Sequence, residues 1–94
     1  MKGYAVYILT NFNNSALYTG ITNDLIRRMW EHTHNTDPDS FTGKYKTYKL
    51  VWFELFPAPE EAIIVEKRIK GWVRIKKIKL ISKKNPQFSD LTLR

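Results

Sequence analysis

Ninety-four residues bound this chain to one domain, because two halves would each be too short to bury a core of their own. There is no cysteine, which excludes disulfide staples, thiolate zinc sites and cysteine nucleophiles. The composition is that of a globular protein, 43% hydrophobic and 14% aromatic, and sixteen Lys and Arg against nine Asp and Glu leave a formal charge of +7, which favours a polyanionic partner such as nucleic acid or an anionic membrane surface.

Residues 1–9 carry one early lysine, then alternate and run into Asn-rich sequence with no small-residue cleavage site. A signal peptide is therefore not expected, and a cytoplasmic protein is. Residues 3–10 and 16–21 are rich in aromatic and β-branched side chains and are separated by Asn11-Phe12-Asn13-Asn14-Ser15, which predicts a β-hairpin. A loop centred between Phe12 and Asn13 would set Tyr7 directly opposite Tyr18 on one face of the sheet.

Thr22, Asn23 and Asp24 offer N-cap chemistry before an amphipathic helix from Leu25, in which Leu25/Met29 and Ile26/Trp30 are the apolar pairs. Asp24, Arg28 and His32 recur once per turn, so Arg28 and His32 can present to one point. Asn35 to Gly43, with Pro38 and two Asp, predicts a loop. Tyr48 to Phe56 is dense in strand formers, and Pro57-Ala58-Pro59-Glu60-Glu61 opens a second helix with Pro and acids where the macrodipole favours them. Its apolar stripe is Ala62, Val65, Ile69 and Trp72, with Ile63 beside it and Glu66 at its border. Gly71 interrupts this helix, and Ile75, Ile78 and Ile81 mark a third, from Arg74 to Ser82, that ends at Asn85-Pro86. The expectation is a single α/β unit of the α+β type over residues 1–94, its core about 3–84 and its tail 85–94, with a small antiparallel three-stranded sheet and about three helices.

The longest wholly apolar runs are short, as in Ala62 to Val65, against the roughly 20 residues of a membrane-spanning helix. From Lys67 to Lys84 there are nine basic residues and no acid. Lys67, Arg68, Lys70, Arg74, Lys76 and Lys77 are candidate phosphate contacts; a solvated face, or a helix lying on lipid, would use the same pattern. His32 and His34 lack the companions of a metal motif, and no Gly-rich phosphate loop or Gly-x-Ser-x-Gly elbow is present.

The segments Ala5-Val6-Tyr7 and Tyr18-Thr19-Gly20, with Arg28 eight residues after Gly20, resemble the GIY-YIG endonuclease superfamily. Adding Leu50-Val51-Trp52-Phe53-Glu54, Glu66 to Trp72 and Asn85-Pro86, the chain is similar to the small stand-alone bacterial subfamily with one nuclease domain per chain, related to the N-terminal nuclease domain of the excinuclease C subunit. Ala5 and Thr19 depart from the family's Gly and Ile. The resemblance implies that Tyr7 and Tyr18 project into an active site, that Gly20 permits close packing there, that Arg28 and His32 act from the first helix, and that Glu66 binds one Mg²⁺ or Mn²⁺. Asn85 matches a late polar residue of some members. Ile21 stands where the excision-repair branch has a lysine, leaving Lys44 or Lys46 from the loop as candidate accessory residues.

Hydrolysis of a phosphodiester needs a deprotonated water and cations facing the phosphoryl oxygens, which a metal on Glu66 and the Arg28 guanidinium would provide. A tyrosine base, with a pKa of about 10 unperturbed, needs help at neutral pH from Arg28 or the metal; Tyr7 and Tyr18 both qualify. The expected activity is metal-dependent DNA endonuclease action linked to repair or recombination, and the alternative is a catalytically silent nucleic-acid-binding module of the same fold. DNA is the expected partner, approached as a monomer and without a membrane, with specificity low, directed to DNA shape, or lent by a second protein. The separate readings of these residues are a cross-strand tyrosine pair, Arg28–Asp24, Arg27–Glu31 and Glu66–Lys70 ion pairs, and a helix stop at Asn85.

Overall fold

Tyr4–Thr10 (β1) forms the middle of the sheet and is paired antiparallel on both sides, with Leu17–Thr22 (β2) and Lys49–Phe56 (β3). The structure is a computed structural model that describes residues 3–34 and 39–93. Its helices are Leu25–His34 (α1), Phe41–Tyr45 (α2), Pro59–Lys70 (α3) and Arg74–Lys84 (α4), followed by a 3₁₀ turn at Leu91–Leu93. The three-stranded antiparallel sheet and flanking helices are the α+β architecture expected. No helix among the described residues is long and apolar enough to cross a membrane.

The central position of β1 explains why every residue from Ala5 to Thr10 is buried. Its alternation divides the core between two faces. Val6 and Ile8 pack with Val51, Trp52, Ala62, Ile69 and Ile81, under α3 and α4, while Ala5, Tyr7 and Leu9 pack with Leu25 and Leu50, under α1. Full burial of an Ile such as Ile8 or Ile81 contributes roughly 1.5–3 kcal/mol. The β1–β3 register shifts between Ile8 and Leu9, a bulge that sends both Val51 and Trp52 to the α3 side.

The hairpin differs from the expected register. Tyr7 faces Gly20 and Tyr18 faces Leu9, because the loop is wider and centred one residue later than its composition indicated. Asn11 Oδ1 accepts from the backbone N–H groups of Ser15 and Ala16, and Asn14 takes φ 60°, which a Phe12-centred turn would not need. The slip is two residues, so Tyr18 stays on the sheet face it was expected to share with Tyr7.

Asp24 caps α1 by accepting from the N–H of Arg27, as the Thr-Asn-Asp run indicated. Only one of the two apolar pairs turns inward: Leu25 is buried with Met29 beside it, whereas Ile26 and Trp30 are exposed, and Trp30 stacks flat on His34 at 4.3 Å. Part of the expected 35–43 loop is helical, since Ser40 Oγ accepts from Gly43 N–H and starts α2; residues 35–38 lie outside the described residues. β3 begins one residue after Tyr48 and α3 at Pro59, the second proline of its run. Ile63 and Ile75, expected on apolar stripes, are exposed, while α4 runs on to Lys84 before Asn85 ends it.

Candidate active site

Tyr7 and Tyr18 reach the same side of the sheet from neighbouring strands, their rings 6.3 Å apart and tilted by 43°. Tyr7 is 1% exposed. Its ring crosses Gly20, where even a methyl group would clash, and so extends past β2 instead of being turned back by a side chain. The residue to which its hydroxyl points is His32, whose Nε2 lies 3.2 Å away. Both tyrosine rings meet the imidazole edge-on, at centroid distances of 6.0 and 5.9 Å.

Arg28, one turn before His32 on α1, holds Glu31 with its Nε at 3.5 Å. Asp24 is used as the helix cap, so the Arg28 ion pair forms with Glu31 and not with Asp24. From the other side of the chain, Glu66 on α3 is 7% exposed and its Oε2 lies 2.7 Å from Lys70 Nζ. The Glu66–Lys70 pair that the one-turn spacing allowed is therefore formed.

The charges of Arg28, Glu66 and Glu31 all act on the Tyr7 hydroxyl, and Lys70 is close enough to interact with Tyr18. Tyr7, Tyr18 and His32 are thus in mutual contact, and the charges of Arg28 and Glu66 reach the Tyr7 hydroxyl from α1 and α3. Burial is the main influence on Tyr7, with Tyr18 adding to it, and together they push its hydroxyl well above the ordinary phenol range despite the opposing pull of Arg28. His32 moves the other way: burial first, then the Arg28 guanidinium, lowers its pKa below the usual imidazole value, with Glu31 opposing. At neutral pH the pair is a protonated phenol beside an uncharged imidazole. The hydrogen bond with Glu66 raises the Lys70 pKa.

The cluster takes in one residue that charge pattern alone had grouped elsewhere. Lys70 was a candidate for the basic phosphate-binding face, and it sits against the buried acid; its spacing from Glu66 was the signal. Lys44 instead lies over the Tyr45 ring at 5.5 Å, and Lys46 is the left-handed C-cap of α2. Phe41, which had no assigned role, meets the Tyr18 ring at 5.7 Å. Asn85 has a structural occupation: its buried amide donates to the carbonyls of Val51 and Ser89 and accepts from Ser89 N–H. Arg74 donates from its two terminal nitrogens to the carbonyls of Asn14 and Ser15, bracing the hairpin loop. Lys67, Arg68 and Lys76 are exposed, Lys76 over the Trp72 ring, and Lys77 is half-buried.

Among the described residues no three His, Asp or Glu side chains gather into a cation cage. Mg²⁺ does not require one, since it retains waters and commonly uses one or two carboxylates together with substrate phosphate. Glu66 fits that role, being a buried carboxylate that already attracts a cation, the Lys70 ammonium.

Residues 3–79, which contain the whole cluster, match the GIY-YIG catalytic domain. The chain belongs to that family. Among similar chains is a UPF0213 protein of Staphylococcus saprophyticus, 34% identical over 82 residues, which cover 87% of this chain and 98% of the relative. A UPF0213 protein of Clostridium perfringens is 39% identical over 80 residues, 85% of this chain and 84% of its own. The solution NMR structure of a UPF0213 protein from Bacillus halodurans superposes with a TM-score of 0.58 at 32% identity, covering 95% of this chain and 93% of the other. This GIY-YIG domain shares that neighbour's fold. Asn85 lies beyond the family match.

Proposed function

We propose that this GIY-YIG domain is a metal-dependent endonuclease that hydrolyses DNA phosphodiester bonds. The observation that carries the reading is the Tyr7 hydroxyl, set 3.2 Å from His32 Nε2 beside the Tyr18 ring and within the electrostatic influence of the Arg28 guanidinium and the buried Glu66 carboxylate. A binding surface needs only the lysines of α3 and α4; it has no use for a buried acid and a desolvated phenol.

Arg28 faces the phosphoryl oxygens and offsets the negative charge that grows on them. Tyr7 donates its proton toward the Nε2 of neutral His32, leaving its oxygen lone pairs to accept from an attacking water. As the water loses a proton to Tyr7, the phenol passes its own to His32, so no free phenolate is required of a group that burial keeps protonated. Tyr18 meets the imidazole edge-on next to Tyr7, and the two rings together hold it in line. A divalent ion on Glu66 would supply Lewis-acid stabilisation of the phosphate. The exposed lysines of α3 and α4 supply salt-dependent backbone affinity.

On this reading the partner is DNA in the cytoplasm, met by a monomer whose specificity comes from DNA shape or a second protein, in repair or recombination. One observation favours the silent binding module instead: Lys70 already neutralises Glu66. Wild type and Glu66→Gln are compared on branched, nicked and single-stranded DNA, with Mg²⁺ and with EDTA. Equal binding, with cleavage by the wild type in Mg²⁺ alone, is the expected result. Binding without metal-dependent cleavage of any substrate would establish the silent module.

A further inference from the structure

Beside Tyr18 the surface opens into a cleft of about 340 Å³, floored by the hairpin base at 15–17 and walled by Phe41 and Tyr45 on one side and Arg74 and Lys77 on the other. The two rings lie 4.7 Å apart, and they are 41% and 44% exposed on a five-residue helix capped at both ends. Phe41 also meets Tyr18, so one row of aromatic faces runs from the Tyr7 hydroxyl through Tyr18 and Phe41 to Tyr45. The opposite wall is positively charged. Arg74 is held by the Asn14 and Ser15 carbonyls, which fix its guanidinium without neutralising it. The ion pairs found among the described residues, Arg28–Glu31 and Lys70–Glu66, use neither Arg74 nor Lys77.

We propose that this cleft is a nucleotide subsite, which takes one unpaired DNA base next to the scissile phosphate. The base stacks on the Phe41–Tyr45 face and its phosphate lies against Arg74 and Lys77. A ring face accepts every base, while fixed cations oppose a phosphate at one side of it; together they suit a nucleotide better than an apolar ligand or a peptide. Continuity with Tyr18 places the base beside the reacting phosphate and not at a remote position. A paired base would first have to leave its stack, so the subsite favours phosphates that adjoin single-stranded nucleotides. The word scissile rests on the endonuclease reading; occupancy of the cleft does not.

The test uses the full chain and a single-stranded oligonucleotide carrying 2-aminopurine, with binding read by anisotropy and stacking by quenching of 2-aminopurine emission, all in EDTA. Wild type is expected to quench the probe and to bind it more tightly than the matching duplex. Tyr45→Leu, which leaves the Tyr18–Phe41 contact in place, is expected to bind about tenfold more weakly and to lose the quenching. Thermal melts check that the variant folds; if it does not, Lys77→Glu tests the same cleft from its other wall, with the same weakening expected for single strands. Unchanged affinity and quenching in either folded variant, or equal wild-type affinity for single strand and duplex, would overturn the subsite. Quenching by a protein that cleaves nothing in Mg²⁺ keeps the subsite and removes the endonuclease reading. Wild-type cleavage of single strands by Tyr45→Leu does the reverse.

Discussion

The phenol of Tyr7 lies across the α-carbon of Gly20, so closely that a Cβ built there would stand 2.5 Å from both the ring Cζ and the hydroxyl oxygen. The glycine of the second motif therefore shapes the site by what it lacks. Gly20→Ala must displace the Tyr7 ring or the strand, at a cost of about 1–3 kcal/mol for overpacking. The expected outcome is a lower melting temperature and, in the folded fraction, a loss of cleavage comparable to that of Tyr7→Phe. A variant with wild-type stability and rate would show that the ring does not need this path.

Protonation of His32 should oppose folding. Its pKa is lowered in the folded state, so the unfolded chain binds more protons below the ordinary imidazole value of about 6.5; stability is full above that value and declines as pH falls through the folded pKa. Groups facing it among the described residues include Tyr7, Tyr18, Arg28 and Glu31. Denaturant titrations between pH 7.5 and 5, read against the imidazole reference, should show this slope in wild type and a shallower one in His32→Gln. If His32 is the proton acceptor, cleavage falls over the same range.

If a divalent ion binds at Glu66, it competes there with Lys70. Removing the ammonium leaves a buried carboxylate with no cation, so Lys70→Met should melt lower than wild type in EDTA and recover more on adding Mn²⁺. Because Lys70 is half-exposed, the gain in Mn²⁺ affinity is modest, about threefold, as read by calorimetry. Identical metal responses in the two proteins would place the ion elsewhere than Glu66.

Asn85 ties the segment after α4 to the sheet by three hydrogen bonds, one to the Val51 carbonyl of β3 and two to Ser89. Asn85→Ala leaves buried backbone groups unpaired and should cost about 1–3 kcal/mol in chemical denaturation. Cleavage per folded molecule should stay within about twofold, since the amide's hydrogen bonds all go to backbone groups of Val51 and Ser89 and none to the tyrosines or His32. A large loss at full stability would give Asn85 a part in the chemistry.

The hairpin shows how far the sequence reached. A hairpin loop centred between Phe12 and Asn13 put Tyr7 and Tyr18 on one face, and a two-residue slip preserved that face; which residues stood opposite depended on Asn11 and Asn14 side-chain and backbone geometry inside the loop. Likewise α1 was legible as amphipathic, yet Leu25/Met29 and Ile26/Trp30 are equally spaced and equally apolar. The sheet's position decided which pair it would cover.

The sequence by itself determined the three strands, the longer helices, the family resemblance and the candidate residues, because hydrophobic period, capping residues and motif spacing are local properties of the chain. It could not determine that Phe41 would extend the tyrosine row, that Asn85 would pin the segment after α4, or that burial would raise the Tyr7 pKa and lower that of His32. Those outcomes depend on distances between segments far apart in the chain and on how much water the packed sheet excludes. Both quantities exist only once the chain has folded.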